Sequence, residues 1–278
     1  MTLRTRLMPL LLVCIALFAP LGAQQPTTPL FAVMAVPREI APIVARIEAP
    51  AIQELHGVTF TSGTVGGARV IAVRTGVGKV NAAMAATLLV DRFAPAAIIF
   101  SGTAGAVDLD LRPGDVVIAT AVGQHDFGAF TEKAFVRTRT RSPISGELDP
   151  VLFPMDARPL DAARRAAKAT RLSALEGREQ EPAPLIHEGP IVTGDAFVAS
   201  PALRTDLRAT FNARAVEMEG AAVALVCARA GVPLLVIRSI TDRADGEATG
   251  SYQKYVEGAS RNAAELALAT VREFVTAK

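Results

Sequence analysis

Tryptophan is absent from this 278-residue sequence, tyrosine occurs only twice, and aromatic residues make up 5% of the chain. A core without many large rings must be built from Ala, Val, Leu and Ile, a composition suited to strands buried between layers of small-residue helices. Apolar residues make up 50% of the sequence, which supports a substantial core and argues against disorder. Excess charge is also missing: 29 basic residues stand against 27 acidic ones. The basic residues are scattered, so no face is built to hold nucleic acid, and the expected partner is a small molecule. No Gly-x-Ser-x-Gly elbow occurs, so His125-Asp126 lacks the partner of a serine hydrolase and reads as structural or as lying near the substrate. No internal repeat or low-complexity linker divides the chain, which predicts one domain.

Cysteine is as scarce as tyrosine, and one of the two falls in a segment that reads as a leader. Arg4 and Arg6 form a basic start, Leu7 to Pro20 an apolar run, and Leu21-Gly22-Ala23 a small-residue exit. Cleavage after Ala23 is expected, giving residues 1–23 as signal peptide and 24–278 as the mature domain. The apolar run is shorter than the roughly 20 residues of a spanning helix. Cys14 follows Val13 rather than the small residue of a lipid-attachment site. The expectation is therefore an exported protein, periplasmic or secreted, free of the membrane once cleaved. Only Cys227 would remain, so no intramolecular disulfide forms.

Apolar runs of strand length occur at Leu30–Val36, Ala96–Ser101, Asp115–Val122, Glu188–Thr193, Ala213–Met218 and Pro233–Ile240. Val58–Thr64 and Arg69–Arg74 flank Gly66-Gly67 as a hairpin. Helices are predicted from Pro37 through Ile47, over Lys79–Phe93, Leu160–Leu175 and Gly220–Ala230, and from about Ser251 onward. Between Thr131 and Glu188 the pattern weakens into a loop-rich excursion. Alternating strands and helices predict an α/β, single-domain, three-layer sandwich with a mixed, largely parallel central sheet. In such sheets ligands sit beyond the carboxyl ends of the strands. The segments leaving four apolar strands begin at Pro37-Arg38-Glu39, Gly102-Thr103-Ala104-Gly105, Met218-Glu219 and Thr241-Asp242, and three carry a carboxylate.

A carboxylate just past a strand commonly does no more than favour the positive end of the next helix. Glu219 is placed to do both, the helix terminus keeping it ionised while its oxygens accept hydrogen bonds from a sugar diol. Asp242 follows a buried strand, where poor solvation raises its pKa toward holding a proton. Carboxylates meeting at one sheet edge suit acid-assisted cleavage of a bond to a sugar.

The motifs around these acids carry a resemblance. Thr75-Gly76-Val77-Gly78-Lys79-Val80-Asn81-Ala82-Ala83, Gly102-Thr103-Ala104-Gly105, Thr193-Gly194-Asp195-Ala196-Phe197, Val216-Glu217-Met218-Glu219 and Arg238-Ser239-Ile240-Thr241-Asp242 occur in order. The sequence from about Phe31 to Val275 thereby resembles the nucleoside phosphorylase and nucleosidase superfamily, most of all its 5'-methylthioadenosine/S-adenosylhomocysteine nucleosidases. The resemblance implies the nucleoside phosphorylase-like fold and hydrolysis of an adenine nucleoside to adenine and the ribose sugar, without metal or cofactor. It implies a homodimer. It assigns Glu39 to the attacking water, Asp242 to protonation of the leaving adenine, and Glu219 to the ribose hydroxyls. It likewise implies that Met218 packs beside the ribose, that Phe197 stacks on adenine and that the backbone of Val198 reads the base edge. Thr103, Ala104 and Gly105 form the turn near sugar and base, and Thr241 keeps a hydroxyl near Asp242. Glu217 joins the substrate-binding set as a supporting residue, because strand alternation points it away from Met218.

Some positions depart from the family pattern. Thr103 and Thr241 stand where Ser is usual, Val36 replaces a Met, and Gln124 replaces a Tyr. Phosphate in place of water as nucleophile requires cations near the sugar. The strand before Gly102 offers Phe100 and none, leaving Arg38 and Lys79 as candidates. Phosphorolysis, and an exported protein that binds a nucleoside without turnover, stand as alternative readings.

Overall fold

The computed structural model describes residues 28–276, so the expected leader, Cys14 and the cleavage site lie outside the described residues. Strand β1 (Leu30–Ala35) leads into a turn at Pro37 and one short helix, α1 (Ala41–Val44), in place of the longer helix expected through Ile47. The helix ends early because the chain turns into an edge strand, β2 (Glu48–Leu55). Its side chains are almost all exposed, so no alternation announces it. β3 (Val58–Val65) and β4 (Ala68–Arg74) form the expected hairpin.

Helix α2 (Lys79–Phe93) has the predicted bounds. β5 (Ala97–Ala106) is longer than its apolar run and continues straight through Gly102–Gly105, which the sequence alone places in a turn. Pairing explains the extension: the strand Leu234–Asp242 holds Gly102 to Gly105 on one side, and Ala215–Val216 holds Gly105 and Ala106 on the other. After β6 (Val116–Gln124) the excursion contains a small hairpin, β7 (Gly128–Phe130) with β8 (Phe135–Arg137), and a short strand, β9 (Phe153–Pro154). Helix α3 (Ala157–Ala169) starts and ends earlier than expected, with Asp156 at its N-cap.

β10 (Ile186–Thr193) is followed by α4 (Pro201–Phe211), a helix absent from the sequence reading. Its start signal was present: Ser200 accepts the Leu203 N–H and Pro201 occupies the first turn. β11 (Ala215–Glu217), α5 (Gly220–Ala230), β12 (Leu234–Asp242) and the long α6 (Ala248–Thr276) complete the chain. Cys227 is buried in α5, where desolvation pushes its thiol up to about 12, so it packs as an inert apolar group.

The strands form one mixed sheet in the order β11-β10-β6-β12-β5-β1-β4-β3-β2, with β9 beside β6. β4, β1, β5 and β12 run parallel, as do β6, β10 and β11. The two groups meet antiparallel at β6–β12. β11 also pairs antiparallel with the end of β5, closing β5, β12, β6, β10 and β11 into a ring. Helix α2 packs on α5, and α1 and α3 pack on α6, giving the helical layers of one α/β domain. The core is aliphatic, with Phe31 meeting Phe274 edge to face at 5.1 Å as one of its few ring contacts. Each fully buried Val, Leu, Ile or Phe in it contributes about 1.5–3 kcal/mol. The ring has a functional consequence. β1 ends beside Phe100 in the middle of β5 and β12 beside Gly105 near its end, while β11 runs back along β5 from Ala106 and carries Met218 and Glu219 into the space between them. None of the described helices is long and apolar enough to cross a membrane.

Candidate active site

Glu39 leaves β1 through the Pro37 turn and returns its carboxylate over β5. The carboxylate is buried, and Oε1 accepts the Thr103 hydroxyl at 2.5 Å and the Thr103 N–H at 3.2 Å. Burial pushes its pKa above the ordinary Glu value, against the opposing pull of Arg238 and the two Thr103 bonds. Gly102 makes this geometry possible, since a Cβ there would stand 2.6 Å from Glu39 Oε2 and 2.7 Å from Arg238 Nη1.

Arg238, to which its motif alone gives no role, is a buried neighbour of Glu39 and Glu217. It is an arginine inside an apolar strand, which is itself the signal that a buried acid must accompany it. Its guanidinium lies over the Phe100 ring, 4.2 Å from the centroid, and donates to Glu217 Oε2 at 2.6 Å and to the Phe100 carbonyl at 3.1 Å. Glu217 also accepts the Thr193 hydroxyl and the N–H groups of Glu219 and Gly220. Its carboxylate is therefore fully engaged. Glu217 borders the cavity, and it, not Glu219, satisfies the N-terminus of α5 by accepting the N–H groups there.

Glu219 is thereby left free to face the cavity. Its Oε1 accepts the Gly78 N–H at 2.8 Å. The helix terminus was expected to keep it ionised; instead burial first, and the neighbouring Glu217 second, push its pKa up to about 8. Asp242 closes β12 beyond a register shift after Ile240. Oδ2 accepts the Thr241 hydroxyl at 2.8 Å and Oδ1 the Ala244 N–H at 2.9 Å. Burial outweighs both bonds and raises its pKa, the direction expected of a group that keeps a proton.

These acids share one cavity of about 380 Å³, within the range of small-molecule sites. Every residue that the resemblance assigns to the site borders it: Glu39, Thr103, Ala104, Gly105, Phe197, Val198, Glu217, Met218, Glu219, Thr241 and Asp242. Phe197 is 45% exposed at the mouth, its ring edge-on to Tyr252 at 5.9 Å. Sequence reasoning missed the wall supplied by α6, where Thr249, Tyr252 and Gln253 line the cavity, because that helix was read only for its apolar face. Of the two candidate cations, Lys79 is paired with Asp126 at 2.7 Å, and Arg38 lines the mouth over the Tyr252 ring. His125 and Asp126 lie outside the cavity wall.

Comparison with known proteins agrees with this architecture. The family model described as the phosphorylase superfamily matches residues 29–276. The 5'-methylthioadenosine/S-adenosylhomocysteine nucleosidase of Shewanella pealeana is 33% identical, over 84% of this chain and 95% of its own length. The solved structure of such a nucleosidase from Colwellia psychrerythraea, in complex with adenine, is similar with a TM-score of 0.76 and 29% identity, covering 89% of this chain and 96% of that one. The native structure of futalosine hydrolase from Helicobacter pylori is also similar, with a TM-score of 0.73, 30% identity and coverage of 88% and 98%.

Proposed function

The chain belongs to the phosphorylase superfamily, and from that premise we infer that it hydrolyses the N-glycosidic bond of an adenine nucleoside to adenine and the free ribose sugar. The substrates we propose are 5'-methylthioadenosine, S-adenosylhomocysteine or a close relative. The observation that carries the reading is the convergence of Glu39, Glu219 and Asp242 on one cavity in different environments.

Asp242, whose pKa is raised by burial, holds the proton that passes to N7 of the purine. The C1'–N9 bond then breaks with its electron pair retained by a neutral base rather than an anion. The sugar gains oxocarbenium character, which the surrounding carboxylates stabilise in a shielded site. Glu39 takes a proton from water as the water oxygen bonds to C1', with Thr103 and Arg238 favouring its ionised form. Glu219 accepts the ribose hydroxyls. Phe197 supplies the face for the base, and the Val198 backbone its edge contacts.

Water rather than phosphate suits this cavity. Arg238 is closed by Glu217 and Lys79 by Asp126, Arg38 lies at the mouth over the Tyr252 ring, and a phosphate dianion beside Glu39 would meet repulsion. The direct test is Asp242→Asn. It is expected to abolish adenine release while the circular dichroism spectrum is unchanged, and retained release would remove Asp242 from its role as acid.

We further propose a homodimer in an exported location. Val80 and Met84, one turn apart on α2, are 80% and 42% exposed, and Phe130 at the β7–β8 hairpin is 90% exposed, apolar surface of the kind a second copy covers. Export rests on Arg4, Arg6, the apolar run to Pro20 and the exit at Ala23. Sedimentation and N-terminal sequencing of the mature protein test the two proposals.

A further inference from the structure

Beside the cavity, Lys79 and the His125-Asp126 pair belong to a polar cluster that the hydrolytic roles leave unused. Lys79 Nζ lies 2.7 Å from Asp126 Oδ1, 3.2 Å from Gln124 Oε1 and 3.6 Å from Asp195 Oδ2. Asp195 donates its N–H to Asp126 Oδ2 at 2.7 Å, and its own Oδ1 accepts the Lys79 N–H at 2.8 Å. The end of β6, the turn after β10 and the start of α2 are thus tied into one ring of contacts. Two of these segments reach the cavity. Gly78, next to Lys79, donates to Glu219 Oε1, and the turn beginning at Asp195 carries Phe197 and Val198 into the wall.

We propose that Lys79, Asp126 and Asp195 form a clasp that aims the Gly78 N–H at Glu219 and fixes it relative to the Phe197 turn, making Lys79 a positioning residue for recognition of the sugar. The proposal rests on the reading of Glu219 as the ribose carboxylate.

The clasp and the N–H donor are one geometric unit. Gly78 has φ +89°, and a Cβ on it would stand 3.1 Å from Asp195 Oδ1, so the turn takes no other residue without strain, and the Lys79 N–H bond ties it to Asp195. The ion pair is shielded, with the Lys79 and Asp126 side chains only 16% and 26% exposed, so it is less screened than an open surface pair. Against its burial, Lys79 and the Asp195 N–H hold Asp126 below the ordinary carboxylate range. His125 packs against Gly194 in the same turn, and Arg137 donates to the His125 carbonyl. Glu219 itself faces Glu217, Glu39 and Arg238, and among these neighbours the Gly78 N–H is the one direct hydrogen bond favouring its ionised form. Without Lys79, Asp126 and Asp195 repel each other. The turn then relaxes, and Glu219 becomes both less fixed and more readily protonated.

The test compares Lys79→Met, Lys79→Arg and Asp126→Asn with the wild-type protein, measuring adenine release from 5'-methylthioadenosine and from its 2'-deoxy counterpart. Lys79→Met is expected to raise KM for the ribonucleoside about tenfold with a smaller change in kcat, and the 2'-deoxy compound to lose less than about threefold. Lys79→Arg should recover most of the loss, and Asp126→Asn should reproduce the pattern should Lys79→Met fail to fold. The rise of kcat/KM with pH should move to higher pH in Lys79→Met and Asp126→Asn and stay near its original place in Lys79→Arg. Equal losses on both sugars, or none on either, overturn the clasp. Hydrogen exchange at the Gly78 amide reads it without turnover: protection should fall in Lys79→Met and persist in Lys79→Arg, and unchanged protection in both overturns it. A wild-type protein that releases no adenine would instead overturn the functional reading.

Discussion

Arg238 and Glu217 meet at 2.6 Å with both side chains only 1% exposed, a buried ion pair beside the proposed catalytic base Glu39. Removing one partner of such a pair strands the other charge in the core. Arg238→Met is expected to lower stability by about 3–5 kcal/mol, and the double variant with Glu217→Gln to lose less than the sum of the single changes. Urea unfolding of the four proteins checks this.

Gly102 separates Glu39 from Arg238 by the width of a missing methyl group. In Gly102→Ala the new Cβ meets Glu39 Oε2 at 2.6 Å, so the carboxylate must move. A displacement of this size is expected to cost on the order of a hundredfold in kcat, with the far-ultraviolet circular dichroism unchanged.

The Thr103 hydroxyl stabilises the ionised form of Glu39. Removing it raises a pKa that burial has already raised. A base works when deprotonated, so the acid-side limb of the kcat profile should move to higher pH in Thr103→Val and stay near its original place in Thr103→Ser.

Glu219 has a folded-state pKa pushed up from 4.5 to about 8. Between these values the folded protein holds a proton that the unfolded chain has released, so stability falls as pH rises through that window. Gln at this position carries no charge to desolvate. Glu219→Gln is expected to melt above the wild type at pH 9, by about 2–4 °C for each kcal/mol relieved, to show little difference at pH 4, and to have weakened substrate binding at both. Calorimetry at the two pH values decides it.

The acids and their neighbours were legible because each stands where an apolar run stops, and the runs of β1, β11 and β12 mark those places. What the sequence did not disclose was direction. Gly102–Gly105 looks like a turn, yet it is strand because β12 and β11 pair with its two edges. Local pattern carries no information about such partners. β2 was invisible because its exposed side chains do not alternate. The α4 start is different, since Ser200-Pro201 is a local cap-and-proline signal that the sequence does carry. Arg238 shows a further limit: a charged residue in an apolar strand announces a buried partner without saying which of several acids it is.

The central claim is that water, not phosphate, attacks the sugar in a cavity governed by Glu39, Glu219 and Asp242. The most direct measurement is product analysis with 5'-methylthioadenosine in the presence and absence of inorganic phosphate. Adenine and free 5-methylthioribose, formed at the same rate in both, are predicted. Formation of 5-methylthioribose 1-phosphate, with turnover that requires phosphate, would contradict the account.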